Sequence, residues 1–207
     1  SHGLLESIEE ATGNMVYITR QLLALSPRGD GDKERIGIDF IFRNILAWLE
    51  EIELSGYVDT NVMIPEESVA VLGNENDIFM ATQSLCLNAI EAVENKAGSA
   101  NGSDSKFRVG LSCDFVEDKG RETRCGLKLS PGRYVRIVVS DEGCGMTEEV
   151  IRQIFTPFFT TKRGEKKKRG AGLGLNIAYR VARDNAGAID FDSSDAGSTF
   201  ALYFPAV

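Results

Sequence analysis

The stretch from Tyr134 to Met146 constrains the fold more than any other part of the chain. Tyr134–Ser140 holds Val135, Ile137, Val138 and Val139 in a short apolar run that reads as a buried strand. It leads directly into Asp141-Glu142-Gly143-Cys144-Gly145-Met146. A carboxylate at a strand end, followed by two glycines, can accept a hydrogen bond from an amino group while the backbone passes close to a flat ring. Taken alone, the same pattern also makes a tight turn.

The rest of the chain supplies the layers around that strand. Ile38–Leu54 reads as a helix with Phe40, Ile41, Ile45, Trp48 and Leu49 on one face. Tyr57–Ile64 and Ser68–Leu72 read as strands around Pro65-Glu66-Glu67. Asn74 caps a long helix over about Asp77–Lys96, which Ala97-Gly98 ends. Strands at Phe107–Val116 and Arg121–Leu129 flank a turn at Glu117–Gly120. A short helix near Glu148–Ile154, a glycine-rich helix start at 170–175 and strands at Ala188–Ser193 and Thr199–Phe204 complete the sequence. One sheet with a few helices is an α/β or α+β arrangement, with the helices expected on one face.

The N-terminal segment differs in pattern. Leu4, Ile8, Ala11, Met15, Ile18, Leu22 and Leu25 form an apolar seam at alternating spacings of 4 and 3, as in a helix of a coiled coil or four-helix bundle. Such a helix has nothing of its own to bury against and implies a partner helix, a dimer, or both. Ser26-Pro27-Arg28-Gly29-Asp30-Gly31-Asp32 stops it. The expected organisation is therefore a terminal helical segment (1–26), a linker (27–37) and a catalytic domain (38–207).

Composition removes several classes of function. With 23 basic and 31 acidic residues the net charge is −8, which argues against general nucleic-acid binding. No apolar window is long enough to span a membrane, so no membrane contact is expected of these residues. The cysteines Cys86, Cys113, Cys125 and Cys144 form no C-x-x-C pair, and the single histidine, His2, follows Ser1 like the scar of a cleaved tag. Free thiols in a reducing cytoplasm are expected, a Cys113–Cys125 bridge between neighbouring strands being the alternative.

Three further stretches carry chemistry. Asn88 interrupts the apolar run Leu85-Cys86-Leu87-Asn88-Ala89-Ile90, so its carboxamide must be paired or face a ligand. Gly170-Ala171-Gly172-Leu173-Gly174-Leu175 opens a helix, where free N–H groups and the positive dipole end suit phosphate. Lys162-Arg163-Gly164-Glu165-Lys166-Lys167-Lys168-Arg169 concentrates six of the 23 basic residues. It is either a solvated loop or a polyphosphate-neutralising one, and its place between Phe158-Phe159-Thr160-Thr161 and the glycine run favours the second.

In this order the motifs resemble the nucleotide-binding domain of the GHKL superfamily, which includes gyrase, Hsp90, MutL and sensor histidine kinases. Asn88 with Ala89 and Ala92 is similar to the N box, and Asp141-x-Gly143-x-Gly145 to the G1 box. Ile154–Lys162 is similar to the F box of histidine kinases. Gly170–Leu175 resembles G2, and Gly197-Ser198-Thr199-Phe200 the last glycine box. Leu4–Ser26 resembles the second helix of a dimerisation and phosphotransfer domain, whose acceptor histidine would lie on a first helix not present here.

The resemblance implies a two-layer α/β sandwich (the Bergerat ATP-binding fold, a mixed sheet covered by helices on one face) preceded by one long amphipathic helix. It implies ATP and Mg²⁺ as cofactors. Asn88 would ligate the metal and Lys162, with the Gly172 and Gly174 backbone, would hold the phosphates, these two side chains being the catalytic ones. Asp141 would receive the adenine amino group with Thr199 in its water network, and Gly145 would let backbone pass close to the base. Further nucleotide contacts fall to Ala92, Gly143, Met146, Thr161, Gly170, Gly172, Leu173, Gly174 and Leu175. Glu91 would be structural, and Cys144 a spacer in the base pocket. The implied activity is that of a sensor histidine kinase of the nitrogen-regulation type, a homodimer through its N-terminal helix, passing phosphate to a response-regulator receiver domain. The alternative is a GHKL ATPase that hydrolyses ATP to drive a conformational cycle. Such enzymes place a general-base Glu four residues before the N-box Asn, where this sequence has Ser84.

Replacing Lys166, Lys167 and Lys168 by Gln should weaken binding of ATP more than of adenosine, and the difference should shrink at high salt. Unchanged ATP affinity at low ionic strength, measured by calorimetry, would make this run a solvated loop.

Overall fold

The computed structural model describes residues 33–52, 54, 56–64, 69–99, 106–161 and 172–207, and Thr19 in the N-terminal segment. The heptad seam of residues 4–25 and the residues that stop it, 26–32, otherwise lie outside the described residues, as do the basic run from Lys162 to Arg169 and Gly170.

The chain runs β1 (Glu34–Gly37), α1 (Ile38–Glu51), β2 (Val58–Val62), β3 (Ala70–Gly73), α2 (Glu75–Ser99), β4 (Phe107–Asp118), β5 (Arg121–Glu122), β6 (Lys128–Leu129), β7 (Gly132–Asp141), α3 (Glu148–Ile151), α4 (Gly174–Asp184), β8 (Ala188–Ser194) and β9 (Gly197–Pro205). Five strands form the main sheet in the order β2-β4-β7-β9-β8. β2 lies parallel to β4 and the other neighbours are antiparallel, so the sheet is mixed. β7 is its middle strand, paired with β4 over Gly132–Asp141 and with β9 over Tyr134–Asp141.

Alternation along the strands sorts side chains between two faces. Val135, Ile137 and Val139 of β7, with Phe200, Leu202 and Phe204 of β9, face the helices. They meet Ile41, Phe42 and Ile45 of α1, Ile78, Leu85, Ala89 and Val93 of α2, and Ile177, Ala178 and Val181 of α4 in one core. Tyr134, Ala188, Ala201 and Tyr203 point the other way and pack against Leu129. The expected two-layer arrangement, helices on one face of a mixed sheet, is what the chain adopts.

Helix α2 begins as its sequence requires. Asn74 Oδ1 accepts from the Asp77 amide at 3.2 Å, and Glu75 and Asp77 stand in the first, dipole-positive turn. α4 is different, because its N-cap residue Leu173 offers no side-chain hydrogen bond to the first turn.

Two local expectations change. Residues 34–37, assigned above to the linker, form β1, which pairs antiparallel with β3. A four-residue strand with Ile36 as its one buried side chain carries too little periodicity to stand out. The single strand expected over Arg121–Leu129 is a small hairpin, with Arg121 opposite Leu129 and a turn closed by the Gly126 amide on the Thr123 carbonyl. Gly126 has φ +78°, which breaks the run.

This hairpin covers the open edge of the sheet at β8. Cys125 Sγ donates to the Ile189 carbonyl, the Arg124 amide to Asp190 Oδ1, and Arg121 pairs with Asp118 and Asp190. Charge and covering loops of this kind keep an edge strand from pairing with other chains. All four cysteines are free thiols, so Cys113 and Cys125 are not bridged. Among the described residues, no helix is long and apolar enough to cross a membrane.

Phe204 is fully buried between sheet and helices. Phe204→Ala should lower the unfolding free energy by about 3–5 kcal/mol, seen as a lower denaturant midpoint at unchanged slope.

Candidate functional site

A cavity of about 280 Å³ opens between α2, the end of β7, α3 and the start of α4. Its walls bring together residues that are more than a hundred positions apart in sequence. From α2 come Asn88, Glu91, Ala92 and Asn95; from the end of β7 and the loop after it, Asp141, Cys144, Gly145 and Met146. Phe159, Thr160 and Thr161 close one side, and Gly172, Gly174 and Leu175 another. Val150, Ile154 and Phe200 supply apolar surface. The result is a mostly apolar cleft with a few convergent polar groups, as small-molecule sites are.

Asp141 sits at the deep end. It is the last residue of β7 and lies opposite Val109 on one side and Ser198 on the other. Its Oδ1 accepts from the Gly143 amide at 2.8 Å and the Ser198 amide at 3.3 Å. Burial pushes the carboxyl pKa up; these two amides and the charge of Lys96 pull the other way, and burial prevails. The carboxylate is thus aimed and partly compensated, and suited to accept from an amino group entering the cavity.

The neighbouring loop is fastened to β8. The Met146 amide donates to Ser193 Oγ at 2.9 Å, and Ser193 and Ser198 share a hydroxyl–hydroxyl hydrogen bond of 3.0 Å. Gly145 has φ +64°, and a Cβ there would overlap the Ser194 carbonyl oxygen. Glycine at 145 therefore answers to packing against β8, whatever else it allows at the base.

At the other end, Asn88 is half-buried on the cavity wall one turn beyond Ser84. Facing it, α4 begins at Gly174 with its first-turn amides uncapped by Leu173. Gly172 has φ +69° and accepts through its carbonyl from the Phe158 amide at 2.9 Å; a Cβ on it would stand 2.6 Å from the Phe159 carbonyl oxygen. Phe158 itself adopts φ +64° and is 61% exposed at the rim. Helix start and glycine backbone make a cradle for anionic groups.

Of the residues expected from sequence, Asn88, Ala92, Asp141, Gly145, Met146, Thr161, Gly172, Gly174 and Leu175 line the one cavity. Gly143 stands beside it and orients Asp141 through its amide. One expectation is corrected. Thr199 is exposed on the opposite face of β9, and the hydroxyl next to Asp141 belongs to Ser198. Phe200, Leu202 and Phe204 face inward, so Ser198 shares their face and Thr199 cannot; a shift of one residue changes the face. Leu173 is 1% exposed, its side chain in the main core, which leaves its backbone amide as the part that a ligand would meet.

Sequence reasoning missed Ser193, Ser198, Asn95 and Lys96. The signals were present. Asn88, Ala92, Asn95 and Lys96 fall on one side of a helix at spacings of 3 and 4, and Ser198 alternates with Phe200.

The whole arrangement agrees with comparison to known proteins. The model of the family described as histidine kinase-, DNA gyrase B-, and HSP90-like ATPase matches residues 73–207. The C4-dicarboxylate transport sensor protein DctB of Rhizobium meliloti (strain 1021) is 27% identical over 199 residues, covering 96% of this chain and 27% of that protein. The sensory histidine kinase/phosphatase NtrB of the same organism is 26% identical over 208 residues, covering 98% of this chain and 49% of that protein. The chain thus spans about a quarter to a half of these relatives' length. Among solved structures, the nucleotide-free catalytic domain of the histidine kinase ThkA superposes with a TM-score of 0.60 at 23% identity, over 84% of this chain and 95% of that one. Full-length ShkA in complex with AMPPNP superposes with a TM-score of 0.61 at 18% identity, over 100% of this chain and 38% of that one. These likenesses confirm the fold.

The elevated Asp141 pKa has a sign that can be tested. The folded chain binds this proton more tightly than the unfolded chain, so its contribution to stability is full below the unfolded pKa and lost as pH rises through the folded one. Asp141→Asn should therefore gain stability relative to the parent as pH is raised from below about 4 towards neutrality, measured by denaturant unfolding without nucleotide. The same substitution should abolish preference for ATP over GTP.

Proposed function

The chain belongs to the family of histidine kinase-, DNA gyrase B- and HSP90-like ATPases, and on that premise we propose that it is the ATP-binding catalytic portion of a sensor histidine kinase. It would transfer the γ-phosphoryl of Mg·ATP to a histidine nitrogen on a dimerisation helix, from which a response-regulator aspartate receives it. The observation that carries this reading is the convergence of Asn88, Asp141 and the uncapped start of α4 on one cavity.

Each group has a part. Asp141 accepts from the adenine amino group, and the Ser193–Ser198 hydroxyl pair beside it can hold a water on the same edge of the base. The amides at Gly172–Gly174 and the lysine at 162 receive the phosphates. Asn88 offers a neutral oxygen donor, which fits Mg²⁺, an ion that keeps several waters and takes phosphate oxygens alongside few protein ligands. When bound, Mg²⁺ neutralises charge on the phosphates. The chain's contribution is to position and neutralise, the terms on which phosphoryl transfer mostly depends.

Ser84 favours transfer over hydrolysis. It occupies the turn before Asn88, is 2% exposed, and its hydroxyl has no hydrogen-bond partner among the described residues. A serine hydroxyl does not deprotonate water at neutral pH. The N-terminal seam fits a homodimer, and the whole reading fits a cytoplasmic catalytic unit.

The chain should bind Mg·ATP in the micromolar to millimolar range without phosphorylating itself, because its single histidine is His2. Attack needs a nitrogen held about 3–3.5 Å from phosphorus. A separately supplied dimerisation domain should acquire acid-labile phosphohistidine, and Asn88→Ala should abolish this. Rapid ATP hydrolysis by the chain alone, with no transfer to the added domain, would establish the ATPase instead.

A further inference from the structure

Lys96 stands in the last turn of α2, two turns beyond Asn88. A lysine there would ordinarily face water or its own helix's terminal carbonyls. This one leaves its helix. Its Nζ donates to the carbonyl oxygen of Glu142 at 2.8 Å and to that of Gly143 at 3.0 Å, and its ammonium lies 5.3 Å from the centre of the Phe107 ring. Two carbonyl dipoles that converge on one point repel each other unless a cation or several donors sit between them, and charge-assisted hydrogen bonds are the stronger kind.

The two residues so held are the two that follow Asp141. The Gly143 amide is one of the donors that orient the Asp141 carboxylate. Glu142 is fixed on its other side by β4, its amide donating to the Arg108 carbonyl and its carboxylate accepting from the Arg108 amide. Further along, Met146 is fixed to Ser193 of β8. The loop is therefore pinned to the sheet through Arg108 and Ser193 and to the helical layer through Lys96, which spans from the helix bearing Asn88 to the loop bearing the base-facing carboxylate.

We propose that Lys96 is a positioning residue for base recognition: by donating to the carbonyl oxygens of Glu142 and Gly143, it holds the loop that aims the Asp141 carboxylate at the base. The inference rests on the reading of Asp141 as the acceptor for the adenine amino group. Lys96 touches neither base nor phosphate in this role, so its removal should be felt in discrimination among bases rather than in binding of the triphosphate.

The test compares ATP with inosine triphosphate, which presents a ring carbonyl oxygen where ATP presents its amino group. Binding of each is measured by calorimetry on the full chain. The parent should prefer ATP. Lys96→Met should weaken ATP binding about tenfold, the scale of a lost charge-assisted hydrogen-bonding group, and leave inosine triphosphate nearly unchanged. Lys96→Arg, which keeps the charge and two donors, should retain the parent's preference. Equal weakening of both nucleotides by Lys96→Met would reduce Lys96 to a structural tie and overturn the proposal, as would an unchanged preference. Should Lys96→Met fail to fold, Lys96→Gln, which keeps an uncharged donor in place, decides by the same ratio. A parent with no preference for ATP would refute the Asp141 reading itself, a result distinct from either of these.

Discussion

The cavity depends on where β7 ends. β7 is hydrogen-bonded on both sides up to Asp141, and its register with β4 and β9 fixes the backbone that carries that carboxylate and the face it emerges from. A one-residue slip would turn Val135, Ile137 and Val139 out of the core and take Asp141 to the wrong face of the sheet. The apolar core thus fixes a polar group: the energy that keeps three β-branched side chains against α2 also keeps the acceptor at the floor of the cleft.

That position is costly for a carboxylate. Burial disfavours its charge, and the surroundings answer with backbone amides from Gly143 and Ser198 rather than with a contacting cation. A direct ion pair would occupy the oxygen that a ligand's amino group needs. Amide donors compensate one oxygen and hold the orientation, and Lys96 acts from a distance through the backbone it grips. The opposite end follows a different logic, with backbone amides at the start of α4 and the neutral carboxamide of Asn88 facing one another across the space where anionic groups would lie. Acceptor at one end and donors at the other give the cleft a direction.

Much of this was legible in the sequence where periodicity is strong. The long helix with its Asn74 cap, the apolar β7 and the two closing strands read correctly to within a few residues. Asn88, Asp141, Gly172 and Gly174 stood out because each breaks the pattern of its element: a carboxamide in an apolar helix face, a carboxylate at the end of a valine run, glycines where a helix should start. Short elements did not stand out. β1 has four residues, and the Arg121–Leu129 hairpin alternates like a strand until Gly126 turns it. Thr199 follows from the family resemblance, whereas period-two alternation with Phe200 puts Ser198 on the inward face.

Sequence by itself determined the type of the long elements among the described residues, the order of the nucleotide motifs and the chemical character of the site, because these follow from local spacing and from residue types that do not fit their surroundings. Tertiary structure decided which side chains share the cavity. It chose Ser198 by strand register, sent Leu173 into the core, and brought the end of α2 against the loop after β7, so that Lys96 could reach two carbonyls 46 and 47 residues away. Contacts of that kind depend on how layers pack and on which way a strand faces, and neither is encoded within the few residues that a local pattern spans.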